Sequence, residues 1–357
     1  LDKMLHGIRT SEMLTLTAGC VDAFTEFLTP SGWKYISEYE QGDKVAQYHE
    51  DGSICFVEPS AYHKYPAETL WHIKTKYGVD QMLSDEHNVA YVTEDLPNII
   101  RKTSLSEVRQ KHVDQTTGFR GKILTTFSSN EGRGIDLSDE QIRLMVAVQA
   151  DGNFRSDTKH VRIRVKKQRK KERLVRLLEE AGVDYSLKSV APEGFEVFRF
   201  YVPLRKKTYD NYWWNCNQDQ LKVITEEVLF WDGNCKSQYY STIKEDVDFM
   251  QYAFASVGKR TTVLVDDRVH GRVGDKPCYR LQVASNDKVS FRACVSADKP
   301  EFIKTPTKDG YKYCFTVDTG LWIMRRNFRI AVTGNSGVSK STMARIIAHH
   351  LQKTTDA

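Results

Sequence analysis

The sequence has no apolar run near the ~18 residues that a bilayer span needs, and no segment patterned like a signal peptide. No membrane partner is expected. It has no Cys-x-x-Cys pair. Its seven cysteines are Cys20, Cys55, Cys216, Cys235, Cys278, Cys294 and Cys314, odd in number and scattered. That argues against a disulfide framework and a structural zinc site. A reducing intracellular setting fits such a set, and single cysteines then become candidate nucleophiles. There is no large excess of one charge: the net is +5, a mild hint of an anionic partner. The content is 40% hydrophobic and 28% charged, which excludes collagen, coiled coil and wholesale disorder. The 357 residues are enough for two or three domains. The chain starts at Leu1, which reads as a piece of a longer chain.

Residues 30–95 read as short strands between tight turns, such as Asp51-Gly52 and Tyr77-Gly78. Residues 95–135 read as mixed loops and short strands. The pattern changes at Ser138, where Ser138 and Gln141 form a capping box. A helix follows with Ile142, Met145, Val146 and Gln149 on one face, ending in Ala150-Asp151-Gly152. A strand at His160–Val165 comes next, then a helix with Leu174, Leu177 and Leu178, stopped by Gly182. The order repeats. Gln218–Phe230 ends in Trp231-Asp232-Gly233, and a second helix carries Val247, Met250, Phe254 and Val257 before Gly258. Strands at Thr261–Val265 and Cys278–Val283 follow. The offset of roughly 80 residues predicts an internal duplication about a pseudo-two-fold axis. After Phe291 the chain is again β-like, and 341–357 read as helix.

The two ends complement each other. Leu14 to Gly19 reads LTLTAG, and Ser336 to Thr342 reads SGVSKST. Joined, they give strand, Gly-rich turn, Lys-Ser and helix, the layout of a phosphate-binding loop. Gly19 and Gly337 would line the turn, Lys340 would pair with phosphate oxygens and Ser341 would hold Mg²⁺. Ser339 sits where a Gly normally precedes the Lys, and Ala18 replaces the first Gly. The joined sequence resembles the nucleotide-binding core of phage replicative helicases and primase-helicases. Residues 20–335 would then interrupt an ATP-binding P-loop.

The interruption opens with Cys20 and closes with Asn335, followed by Ser336. These three residue types can cut and rejoin a backbone by nucleophilic acyl transfer. The Cys20 thiol can turn the Gly19 amide into a thioester. Ser336 can take over the acyl group, and the Asn335 side-chain amide can cyclise to release the segment. Here the sequence resembles an intein. The run CVDAFTEFLTPSGWKYISEYEQGDKV looks like the family's first block. GVDQMLSDEHNVAYV matches the Thr-x-x-His block, with Ser84 and His87 in the Thr and His places. YCFTVDTGLWIMRRNFRIAVTGN matches the C-terminal blocks. The resemblance implies that His87 polarises the upstream scissile amide and that splicing needs no cofactor. Gly334 stands where the family has His before the final Asn, and Arg326 replaces another family His, so slow C-terminal cleavage is expected. Cys314 takes the place of a frequent catalytic Asp. Cys314 and Thr333 match two of three markers of a class that branches first on an internal Cys. That class lacks an N-terminal Cys, and its Trp marker is absent here. The ordinary route through Cys20 is favoured, with Cys314 as proton relay or assisting thiol.

The duplicated middle resembles a LAGLIDADG homing endonuclease, with LMVAVQADG (144–152) as the first signature helix and EVLFWDG (227–233) as a weaker second. Ala147 is the small residue that allows close helix approach in the first copy. The resemblance implies that Asp151 and Asp232 are catalytic carboxylates sharing Mg²⁺ at the base of a DNA saddle. Residues 161–176, VRIRVKKQRKKERLVR, carry nine Lys/Arg and one Glu. Arg162, Arg164, Lys166, Lys167, Arg169, Lys170 and Lys171 are candidate contacts to the phosphates of double-stranded DNA. Arg280, Gln282 and Arg292 are candidates for base edges. The family's basic residue near the carboxylates is not assigned from sequence.

The expected architecture is multidomain. An all-β, horseshoe-like Hint splicing domain (20–130 and 296–335) is interrupted by an α+β LAGLIDADG endonuclease (131–295) of αββαββα repeats. The flanks 1–19 and 336–357 would be host fragments. The precursor is expected to be a cytoplasmic monomer in a phage-infected or bacterial cell. Its DNA target would be the uninterrupted host gene site. Two alternatives stay open: a splicing element with a degenerate, non-cleaving insert, or a P-loop NTPase with a permanent DNA-binding insertion.

Overall fold

The computed structural model describes residues 19–75, 78–113, 119–154, 160–190, 194–231, 233–234, 237–267, 276–291 and 301–334. The chain is multidomain and mostly β, with few helices. The first and last segments build a common β unit. Its larger sheet runs, in order, Ser128–Ser129, Ser53–Val57, Val45–Tyr48, Leu321–Arg326, Arg329–Gly334, Asn88–Tyr91 and Arg101–Ser104. The last two strands of the chain lie side by side between strands of the first segment, so neither segment can complete the sheet alone. Glu26–Thr29 adds to the Leu321–Arg326 strand. Helix α1, Leu105–Val113, packs against the last strands of this sheet. Two further ladders, Glu301–Pro306 on Thr69–Lys74 and Tyr311–Thr316 on Ala61–Pro66, tie the ends together again.

The middle of the chain holds two copies of one element order. The first runs α2 (Asp139–Asp151), Gly152–Phe154, Val161–Val165, α3 (Gln168–Glu180), Tyr185–Val190 and Phe195–Phe200. The second runs α4 (Gln218–Trp231), Gly233–Asn234, Gln238–Ser241, α5 (Lys244–Ser256), Thr261–Asp266 and Cys278–Val283. Each copy makes a four-stranded antiparallel sheet, and in both the first strand pairs the second, the second the fourth and the fourth the third. The observed unit is αββαββ. The helix expected to close the first copy is replaced by a single 3₁₀ turn at Trp213–Asn215 before α4 begins. The α2 capping box forms: Gln141 N–H donates to Ser138 Oγ at 3.3 Å and Ser138 N–H to Gln141 Oε1 at 3.0 Å. α2 and α4 lie side by side, burying Leu144, Ala147 and Val148 with Leu221, Ile224 and Val228.

The junction between the β unit and the middle is a charged clamp. Arg325, fully buried, donates to both Glu26 oxygens at 2.6 and 2.7 Å and to Asp248 Oδ1 on α5 at 2.6 Å. Beside it, Asn327 and Phe328 have φ of +44° and +58° and close the hairpin between the last two strands in two residues. That is the geometry a tight hairpin demands, and asparagine adopts it most readily among non-glycine residues. The Phe328 carbonyl accepts from Gln251 of α5 at 2.8 Å. Arg325→Met strands two carboxylates in the interior. It is expected to cost about 3–5 kcal/mol, read as a lower urea midpoint by tryptophan fluorescence. An unchanged midpoint would refute the clamp's role.

Candidate functional site

Cys20 sits in a short extended segment between two strands. Val21 bridges Tyr313 on one side and Leu83 on the other. Val21 and Tyr313 exchange both backbone hydrogen bonds, at 2.8 and 2.9 Å. This register sets Cys20 opposite Cys314 on one flank and opposite Ser84 on the other. The Cys20 N–H donates to Ser84 Oγ at 3.0 Å, and the Ser84 N–H donates to the Cys20 carbonyl at 2.9 Å. Cys20 and Cys314 are both buried and pack against each other, apart from the two main hydrophobic clusters. The Cys314 thiol donates to the Phe315 carbonyl at 3.3 Å.

His87 lies next to this row. Its Nε2 is 2.5 Å from Thr333 Oγ1, which joins residues from opposite ends of the sequence. Its Nδ1 is buried with no hydrogen-bond partner of regular geometry, and the polar group acting on the ring is the Gly19 backbone. Burial lowers the imidazole pKa from 6.5 to about 4, with the Gly19 backbone opposing that shift. The ring is therefore neutral near pH 7. Gly19 approaches so closely that a Cβ there would sit 2.4 Å from His87 Cα. A Cβ on Gly334 would meet the Asn88 carbonyl at 2.9 Å. Both positions require the smallest residue because two chain ends converge on one turn.

Arg326 is drawn away from this centre into a buried network. Its Nε donates to both Asp22 oxygens at 3.1 and 3.2 Å, and its Nη1 to Asp80. His72 Nε2 is 2.8 Å from Asp80, and Asn327 donates to Asp80 at 2.9 Å. Burial pushes the Asp80 pKa up, but the hydrogen bonds from His72 and Asn327 and the charge of Arg326 together outweigh it and hold Asp80 below its usual pKa. Asn335, Ser336, Gly337, Lys340 and Ser341 lie outside the described residues, as do Asp232 and Arg292.

Asp151 closes α2, and Gly152 follows in extended conformation where a Cβ would strike the Val148 carbonyl at 2.4 Å. Lys170 Nζ is 2.5 Å from Asp151 Oδ2. The carboxylate is partly exposed, with one oxygen on the ammonium. Among the described residues no three His, Cys, Asp or Glu are grouped to hold a metal ion. Gln149 is occupied structurally, donating to the Lys206 and Thr208 carbonyls at 3.1 and 3.4 Å.

The basic run divides. In Val161–Val165 the valines and Ile163 are buried, while Arg162 and Arg164 face outward with Lys166 and Lys167 beyond them. Along α3 the cations are used inside the fold. Arg169 donates to the Phe230 carbonyl, Lys171 pairs with Glu196 at 2.5 Å, and Arg173 grips the buried Glu227 of α4. Arg280 is exposed on the outer face of the second sheet, beside Tyr240.

Sequence reasoning missed two groups. His63 is the cross-strand partner of Cys314, and Tyr65 follows on the same face. Alternation in Ala61–Pro66 puts both on one face, but nothing local names the strand that pairs with it. From sequence Lys170 reads only as a phosphate contact, because its pairing with Asp151 reaches across the strands Gly152–Phe154 and Val161–Val165.

No family model and no curated protein matches the chain. Solved structures similar to it include mesophilic variants of the homing endonuclease I-DmoI, at 15% identity and TM-score 0.30, over 41% of this chain and 89% of that one. I-DmoI in complex with DNA and Ca is similar at 14% identity and TM-score 0.30, over 41% and 83%. A glutathione-linked, splice-inactive AceL NrdHF class 3 split intein is similar at 9% identity and TM-score 0.31, over 88% of this chain and 97% of that one. No helix among the described residues is long and apolar enough to cross a membrane.

Proposed function

We propose that this chain is a self-splicing precursor, in which residues 20–335 excise themselves and join Gly19 to Ser336. We propose further that the middle of the insert is a site-specific DNA endonuclease. One observation carries the splicing reading: Gly19 docks on His87 and Gly334 on the adjacent Asn88, so both ends of the insert reach one buried turn.

The chemistry follows from the residues. The Cys20 sulfur attacks the Gly19 carbonyl; the C–S bond forms as the C–N bond breaks, and the thiol proton ends on the Cys20 nitrogen. If the Thr333 hydroxyl donates to His87 Nε2, the ring proton is on Nδ1, on the side left for the Gly19–Cys20 peptide. A neutral ring with a fixed tautomer is a hydrogen-bond donor that polarises this amide without adding a charge. Ser84, bonded to the Cys20 N–H, keeps the peptide oriented. Ser336 Oγ then displaces the sulfur, and the Asn335 side-chain nitrogen attacks the Asn335 carbonyl, closing a succinimide and freeing the segment. An O-to-N shift leaves an ordinary peptide bond. Arg326 is tied to Asp22 and Asp80 and cannot serve as the His it replaces, so Asn335 cyclisation is the slow step.

For the nuclease, Asp151 stands at the end of a helix packed on its counterpart, and outward-facing Arg162 and Arg164 lie on the next strand but one. The partly exposed Asp151 carboxylate suits a shared cation, and Asp151 with Asp232 would hold it. Bound Mg²⁺ would polarise the scissile phosphate and lower the pKa of water. Lys170 takes the place of the basic residue that was left unassigned, orienting Asp151.

Time-resolved mass spectrometry of the purified precursor tests the splicing reading. The expected products are a released 20–335 species and a joined 1–19/336–357 peptide, with thioester or branched species accumulating first. A chain that stays intact over days sinks the reading and favours a permanent insertion. Completion within minutes refutes the slow last step.

A further inference from the structure

The two copies of the repeat differ inside their signature helices. Counted back from the shared Asp-Gly, Val146 and Ala150 of α2 correspond to Glu227 and Trp231 of α4. The first copy has apolar side chains at both places. The second has a carboxylate and an indole there, and both are buried, at 1% and 2% exposure. An interior carboxylate destabilises a fold unless it is paired. Glu227 is paired. Arg173 of α3 donates through Nε to Oε1 at 3.0 Å and through Nη2 to Oε2, and Arg143 of α2 donates to Oε2 at 3.4 Å. The Trp231 indole N–H donates to Oε1 at 2.8 Å. Glu227 and Trp231 stand one turn apart, so this bond fixes the ring against its own helix.

The face of the fixed ring meets the first copy. Lys170 Nζ lies 5.5 Å from the Trp231 ring centroid, and the same nitrogen is 2.5 Å from Asp151 Oδ2. Arg169, one residue earlier, donates to the Phe230 carbonyl at 3.1 Å, which fastens the opening turn of α3 to the closing turn of α4. An ammonium within about 6 Å of an indole centroid is attracted by the negative face of the ring. The Lys170 ammonium therefore sits between a carboxylate of its own copy and an aromatic face of the other.

We propose that Trp231, oriented by Glu227, is a positioning residue for DNA cleavage, holding the Lys170 ammonium at the Asp151 carboxylate. A lysine stem is long and flexible, so an ammonium held by a carboxylate alone samples several rotamers. A second contact on a fixed ring narrows them. This accounts for a buried carboxylate and a large ring in a helix that otherwise departs from its signature: the second copy keeps residues that serve the centre of the first. The assignment rests on the nuclease reading and adds to it that the first-copy centre is completed across the boundary between copies.

The test uses the full chain, changed at position 231. Trp231→Leu removes the ring. Replacement of Trp231 by a ring-fluorinated tryptophan keeps the shape and the N–H but withdraws the π charge that attracts the ammonium, so it decides the matter where the leucine variant fails to fold. The first readout needs neither metal nor DNA: brief acetylation with an amine-reactive ester, each lysine quantified by peptide mass spectrometry. Lys170, whose side chain is 15% exposed, is expected to react about fivefold faster in both proteins. The exposed Lys166 and Lys167 should react as in the parent. The second readout is plasmid cleavage with Mg²⁺, expected to fall about tenfold, with duplex affinity measured without metal unchanged. On a Lys170→Met background neither change at 231 should slow cleavage further, because both act through one ammonium. The proposal requires both readouts to move in the fluorinated protein. Parent-like labelling or parent-like cleavage there overturns it and leaves Trp231 a packing residue, with the nuclease reading intact. Effects that multiply on the Lys170→Met background also overturn it. A parent chain that binds the duplex and never cuts overturns the nuclease reading and this role together.

Discussion

His87→Ala is expected to slow cleavage of the Gly19–Cys20 bond by about 10²–10⁴-fold, the range measured for a positioned proton donor or acceptor. The reason is geometric. The ring is clamped at Nε2 by Thr333 and covered by the Gly19 backbone, so no water reaches the amide to replace it. Thr333→Ala should give a smaller loss, near tenfold, since the ring stays but its tautomer is no longer fixed. The pH dependence separates His87 from any surface histidine. With its pKa lowered from 6.5 to about 4, the ring is neutral from pH 6 upward and adds no inflection between pH 6 and 9. The measurement is dithiothreitol-induced cleavage of the Asn335→Ala, Ser336→Ala chain. A His87→Ala protein that cleaves at the parent rate rules out the role.

The same burial has a stability cost at acid pH. The folded ring's pKa lies below that of the unfolded chain, so the unfolded state takes up the proton first. His87's contribution is complete above about pH 6.5 and is lost as pH falls toward 4. For a fully buried ring the shift corresponds to about 3 kcal/mol. A deletion to alanine therefore lessens the acid sensitivity of unfolding even as it removes the chemistry. That opposition of effects is what a functional rather than a packing histidine should show.

Much of this arrangement is legible in the sequence where the signal is local. Asp51-Gly52 marks a hairpin, and the Ser138/Gln141 box starts α2 at the expected residue. The repeat is readable because two helices end in Asp-Gly at matching offsets. Helix α1 is not readable: among the described side chains of LSEVRQKHV only Leu105 and Val108 are buried, too few to write a 3.6-residue period. The strands Tyr185–Val190 and Phe195–Phe200 are likewise missed, since Leu187 is exposed and the first strand offers no alternating pattern. At the reactive centre, Cys20, His87 and Thr333 are found by motif, because each sits in a run whose spacing is fixed by one strand or turn. His63 is found only from strand pairing, since its partner is some 250 positions away. Arg326 shows the converse. Its replacement of a histidine is visible in the sequence, but its capture by Asp22 and Asp80 depends on three separated segments.

Asp151→Asn should abolish double-strand cleavage of the uninterrupted host sequence, a loss of at least about 10³-fold, while splicing continues at the parent rate. The asparagine is isosteric, keeps α2 intact and removes one negative charge from the place proposed to hold a divalent cation. It also releases Lys170, whose ammonium lies 2.5 Å from the carboxylate. Lys170→Met is therefore expected to impair cleavage as well, more weakly than Asp151→Asn, because a positive charge near the scissile phosphate is lost but the ligand remains. Splicing should be indifferent to both changes. Asp151 and Lys170 belong to the first copy of the repeat, whereas the clamp that joins the middle to the β unit runs through Asp248 and Gln251 of the second. Plasmid cleavage with Mg²⁺ and mass spectrometry on the same preparations read the two activities separately. An Asp151→Asn protein that still cuts refutes the catalytic assignment. A parent protein that binds the DNA but never cuts it favours an insert that has kept its saddle and lost its chemistry. Gln149 would fit that outcome: it stands where the signature that this helix resembles has its first acidic residue, and it ties down the 206–208 backbone.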